Sequence, residues 1–168
     1  MDIAWVLGNL GSGPPSHVDA LVGAGAVGPL VATLEHGAFD LKREAAMALW
    51  QLCKDGRHLT VAVEAGALPL FLGLIRLPDT EVARLGLSFT QVVLDLMKGG
   101  VKMVEEQDGI DAIESVQYAD DEYLSGLSNF LVNELPRTRM QNPRIQTRKM
   151  QPYQLCQTGS LHLSSSGT

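Results

Sequence analysis

LVGAGAVGPLVATL at residues 21–34 returns as AVEAGALPLFLGLI at 62–75, with Gly66 standing 41 residues after Gly25. A fainter copy, VEEQDGIDAIESV, begins at Val104, and its Gly109 lies 43 residues beyond Gly66. A second element shares the period. DIAWVLGNLGSG at 2–13 matches EAAMALWQLCKDG at 44–56, and LGLSFTQVVLDLMKGG at 85–100 is the third copy. Independent markers on one period decide the architecture before local detail does. Each unit has an apolar face that only a neighbouring unit can bury.

Glycine, proline and aspartate divide each unit into helices. A short helix is expected over about Ser16 to Leu21, stopping at the glycines around Gly23 and Gly25. A second spans about Val27 to Glu35 and ends at His36-Gly37. A third runs from about Leu41 to Lys54, with Leu41, Ala45, Ala48, Leu49 and Leu52 at helical spacing before Asp55-Gly56. The next unit repeats this over Arg57 to Glu64, Ala67 to Leu77 and Asp79 to Lys98, with Asp79 and Thr80 available as caps. A closing unit covers about Val101 to Leu135, and Asp120 is the expected cap of its last helix.

Short, short, long at a period near 42 residues is the armadillo rhythm, since a two-helix HEAT unit lacks the first helix. The expected fold is therefore all-α, an armadillo-repeat solenoid over residues 1–135: a partial first repeat, two full repeats and a closing repeat. From Pro136 onward Arg, Gln, Thr, Ser and Pro follow without periodicity, so 136–168 is expected to be a disordered basic and polar tail. The chain opens inside a third helix, with nothing before it to cover Ile3, Val6 and Leu10. It reads as a fragment of something longer.

Composition narrows the function classes. Hydrophobic residues make up 45% of the chain and aromatics 5%, so the core must come from Leu, Val and Ala. The net charge of −6 divides into 8 basic and 19 acidic residues before Pro136 and 5 basic with no acidic residues after it. An acidic body argues against nucleic acid and suits a basic peptide partner, or the tail itself, whose Arg137, Arg139, Arg144, Arg148 and Lys149 resemble one. No secretory signal opens the sequence, and the apolar stretch Val61 to Leu77 is interrupted by Glu64, Pro69 and Arg76, so no membrane span is expected. Cys53 sits among apolar neighbours as an inert core thiol, in a reducing compartment.

Catalytic and cofactor motifs do not assemble. GAGAVG at 23–28 has glycine spacing for a dinucleotide loop, but a helix is expected before it where a strand is needed. His17, His36, His58 and His162 are scattered, without the spacing of metal ligands. Glu105-Glu106 and Asp120-Asp121-Glu122 read as solvated helix starts rather than acid–base pairs. The sequence therefore predicts a binding scaffold, with no enzyme activity, cofactor or metal.

A family resemblance rests on an ordered series of motifs. LKREAAMALWQLCKDG resembles a third helix of importin-α (karyopherin-α), where a Trp is followed by Asn four residues later. DIAWVLGNLGSG keeps that pair as Trp5 and Asn9, and VARLGLSFTQVVLDL is similar to the penultimate third helix, which also lacks it. MVEEQDGIDAIESVQYADDEYLSGLSNFLVNEL is similar to the closing repeat. The likeness covers about residues 2–135. It implies a right-handed superhelix whose third helices line a concave face that carries nuclear-localisation peptides, in a protein of cytoplasm and nucleus.

In that family the Asn amide pairs with the peptide main chain, the Trp walls a slot for a Lys or Arg stem, and a carboxylate meets its head. Asp2, Trp5 and Asn9, at i, i+3 and i+7, match these roles on one helix face. One repeat later the positions hold Glu44, Met47 and Gln51, and in the next Ser88 and Val92 replace the pair. Trp50 lies on another part of its helix and is expected in the core. The resemblance implies basic linear peptides or cargo proteins as partners, and importin-β or an export receptor for a longer form. The alternative is a structural armadillo protein whose groove serves an unrelated partner.

Overall fold

A computed structural model of the chain describes residues 13–139, and every regular element among them is a helix. These helices form three sets, each with a longer third member. The first is α1 (Pro15–Gly23), α2 (Val27–His36) and α3 (Phe39–Cys53). The second is α4 (Leu59–Glu64), α5 (Ala67–Ile75) and α6 (Thr80–Leu96), and the last is α7 (Gly100–Glu105), α8 (Gly109–Glu114) and α9 (Glu122–Arg139). The armadillo rhythm is present as expected. The final helix runs on to Arg139, beyond the boundary expected at Leu135.

The turns repeat with the helices. Gly25, between α1 and α2, and Gly66, between α4 and α5, have φ of 81° and 91°. A Cβ is crowded at such angles, so glycine adopts them at least cost. The matching residue between α7 and α8 is Asp108, at φ 54°, and not Gly109 as the sequence register suggested. Aspartate is among the few side chains that tolerate this region. Gly109 is small for a different reason, because a Cβ there would press into Val104 Cγ1 and stand 2.7 Å from the Val104 carbonyl oxygen.

α6 packs between α3 and α9, so the long helices form one layer, with α2, α5 and α8 in a second layer behind them. The core lies between the layers. α3 contributes Ala45, Ala46, Ala48, Leu49 and Leu52, and α5 contributes Leu68, Phe71, Leu72 and Ile75. Phe71 and Phe89 stack with ring centroids 4.0 Å apart. That approach depends on Gly86 of α6, where a Cβ would meet the Phe71 carbonyl oxygen at 2.6 Å. No single helix among the described residues is long and apolar enough to cross a membrane. The stretch Val61 to Leu77 is split between α4 and α5 by the Gly66 turn. GAGAVG spans the α1–α2 turn, with α1 before it where a dinucleotide loop has a strand.

Aspartate side chains cap two of the three long helices, α6 and α9. Asp79 Oδ1 accepts the Val82 backbone N–H at 3.0 Å, as expected for α6. On α9 the cap is Asp121 and not Asp120: Asp121 Oδ1 accepts the Leu124 N–H at 2.9 Å. Two adjacent aspartates offered either choice, and Arg84 of α6, which pairs with Asp121, favours the second.

Candidate peptide-binding face

The candidate face is built on α3. Ala45, Ala48, Leu49 and Leu52 bury one side of that helix. Glu44, Met47 and Gln51 share another, at i, i+3 and i+7. Met47 is 40% exposed among buried neighbours. Glu44 is half-buried, its carboxylate 3.8 Å from the Arg43 guanidinium, an exposed pairing that contributes little. Gln51 is half-buried too, and its Oε1 accepts from Lys54 Nζ, so the Gln51 amide N–H groups are left to donate. Apolar contact, carboxylate and amide thus stand together, and Lys54 adds a like charge against a basic ligand. Trp50 is half-buried and packs against the core. Asp2, Trp5 and Asn9 lie outside the described residues.

The next rung is sealed. Leu85, Ser88 and Val92 of α6 are only 8%, 7% and 6% exposed. The start of α9 lies against Ser88. Ser88 Oγ and Tyr123 Oη share a hydrogen bond of 2.7 Å. Arg84, one turn before Ser88, donates from Nε to Asp121 Oδ1 at 3.2 Å and from its terminal nitrogen to Oδ2. Its guanidinium carbon also stands 5.6 Å from the Tyr123 ring centroid. The Arg84 hydrogen bond is the main reason the Asp121 carboxyl is held below its usual value; the Leu124 and Tyr123 backbone bonds and the Arg84 charge assist, against partial burial.

Sequence reasoning missed this cluster. Arg84 and Asp121 are 37 residues apart, off the repeat period, so self-similarity could not pair them. The only sequence signal is the acidic run at 120–122 followed at once by Tyr123, which looks like a solvated helix start.

The remaining polar groups hold structure together. Cys53 is buried, and burial, with the Asp55 charge, pushes its thiol up to about 12. Asp55 is pushed up by partial burial, but hydrogen bonds from the Arg57 side chain and backbone outweigh this and leave it below the usual carboxylate value. His58 Nε2 meets Asp19 Oδ1 at 2.8 Å, joining α1 to the turn before α4. Among the described residues no group of three or more His, Cys, Asp or Glu is placed to hold a metal ion.

The Armadillo/beta-catenin-like repeat family matches residues 14–54, the span of α1 to α3. Importin subunit alpha-2 of Oryza sativa subsp. japonica is 35% identical over 144 residues, covering 78% of this chain and 27% of that protein. Importin subunit alpha-9 of Arabidopsis thaliana is 36% identical over 146 residues, 79% of this chain and 28% of that protein. The chain therefore spans little more than a quarter of these relatives. A designed armadillo repeat protein in complex with peptide (KR)4 superposes with a TM-score of 0.69 at 22% identity, covering 79% of this chain and 56% of that one. At that identity the likeness speaks to the fold alone. Repeat match, relatives and fold agree: the chain is an importin-α-like armadillo-repeat protein.

Proposed function

We propose that the α3 face of Glu44, Met47 and Gln51, together with Asp2, Trp5 and Asn9 of the preceding sequence copy, binds extended Lys/Arg-rich peptides of the nuclear-localisation kind. The chain would then be a divergent nuclear-import adaptor module, at work in cytoplasm and nucleus. The carrying observation is the exposure of Met47 between half-buried Glu44 and Gln51, on a third helix of an acidic body. An extended peptide needs main-chain partners, an apolar wall for each long stem and a carboxylate for its head. Glu44 and Gln51 supply the polar groups, while Met47 supplies contact without an aromatic face. One intact Trp rung contributes about 0.5–2 kcal/mol, and the cost of ordering the peptide opposes it. Affinity should be weak and sensitive to salt.

The sealed α6 rung favours a second reading, a structural armadillo protein that binds an unrelated partner. Titrating a Lys/Arg-rich peptide into the chain with and without residues 140–168 separates the two. Under the adaptor reading Trp5→Ala weakens binding by about 0.5–2 kcal/mol, Glu44→Gln flattens the salt dependence, and removing the basic tail does not weaken it. Equal affinity for an acidic peptide, or no loss with Trp5→Ala, leaves the structural reading standing.

A further inference from the structure

We infer that Arg84 is a built-in occupant of a cation slot made by the Tyr123 ring and the Asp121 carboxylate, which stops a bound basic peptide from continuing past α3. The inference rests on the peptide reading of the α3 face and names where that face ends. The slot has the parts a peptide cation requires. An aromatic face stands 5.6 Å from the guanidinium carbon, and a carboxylate takes two parallel N–H bonds from the same group. The wall is fixed from both sides, since Tyr123 Oη bonds Ser88 Oγ at 2.7 Å and Asp121 also caps α9. Tyr123 is half-buried, and the Asp121 side chain is 19% exposed against 44% for Arg84. The walls are therefore set into the fold and the occupant is its outermost member.

Arg84 and Ser88 are four residues apart and face α9 together. The sealed Leu85, Ser88 and Val92 offer no second open place between α3 and this slot. A peptide lying on Glu44, Met47 and Gln51 thus has a free rung at α3 and, two long helices away, a cation site already filled by the chain. Reading length is set by Arg84.

The test compares (KR)2 with (KR)4 on the full chain and on Arg84→Ala. Neighbouring packed helices lie about 8–10 Å apart. An extended chain covers roughly 3.3 Å per residue, so (KR)4 reaches about 26 Å, enough to pass from α3 to α9, and (KR)2 only about 13 Å. Wild type should bind the two peptides within about threefold of each other. Arg84→Ala should tighten (KR)4 by about three- to thirtyfold, the range expected for an exposed cation over a ring together with its ion pair, and leave (KR)2 unchanged. Arg84→Lys, which keeps a cation on α6, should behave as wild type, and Arg84→Ala with Tyr123→Leu should lose the gain. Helix content by circular dichroism checks that each variant is folded. If (KR)2 binds both proteins equally and (KR)4 gains nothing from Arg84→Ala, the slot inference fails while the peptide reading survives. If neither peptide binds any of these proteins, the peptide reading fails and takes the inference with it. A second readout is independent of binding: the Arg84 Nε–H resonance should be ring-current shifted and return toward its ordinary position in Tyr123→Leu, and an unshifted resonance overturns the slot.

Discussion

Asp120 and Asp121 are chemically identical neighbours, yet Asp121 alone caps α9 and carries Arg84. Asp121→Ala should therefore cost about 1–2 kcal/mol, and Asp120→Ala less than about 0.5, measured as urea midpoints at pH 7. The pH dependence has a fixed sign. Asp121 is held below its ordinary value of 3.8 in the folded chain, so its contribution is present above that value and lost as pH falls through the lowered one. The gap between wild type and Asp121→Ala should close on acidification below about pH 4. Cys53 makes the opposite kind of prediction. With its thiol pushed up to about 12, it should resist iodoacetamide at pH 8 in folded Cys156→Ser and take one adduct in urea. Its inertness was legible from the apolar residues around it. The choice between two aspartates was not, because a partner on another helix decides it.

At the scale of elements, Gly86 and Gly126 read alike, each a glycine inside a helical run. Their surroundings differ. A Cβ on Gly86 would press the Phe71 carbonyl oxygen at 2.6 Å and Ile75 at 2.9 Å, whereas one on Gly126 meets nothing within 4 Å. Gly86→Ala should force α5 from α6 and destabilise by about 1–3 kcal/mol. Gly126→Ala should stabilise by roughly 0.5–1 kcal/mol, by reducing the freedom of the unfolded chain and improving helix propensity. Thermal or chemical melts of the two variants should move in opposite directions. Helix existence and order were readable because apolar spacing and turn residues recur on one period. Fine register was harder, as at Asp108, where a left-handed turn uses a residue other than glycine and shifts the apparent repeat by one position.

Across the whole molecule, the repeat period set the order of the helices, while the family resemblance implied that third helices line one face and that Glu44, Met47 and Gln51 sit on it. What the period could not show is where that face ends. The closure at α6 and α9 depends on Arg84, Asp121 and Tyr123, residues on different helices that no repeat marker relates. Everything above turns on whether the α3 face receives basic extended peptides. The direct measurement is a titration of the isotope-labelled chain with (KR)4, following the Met47 methyl and Gln51 side-chain amide resonances by NMR. Both should shift saturably at low salt and return toward their free positions near 1 M salt, where screening acts within about 3 Å. Shifts confined to sites such as Val61 on α4, or resonances of Met47 and Gln51 that stay still while peptide binds, would show that the peptide does not lie on the α3 face.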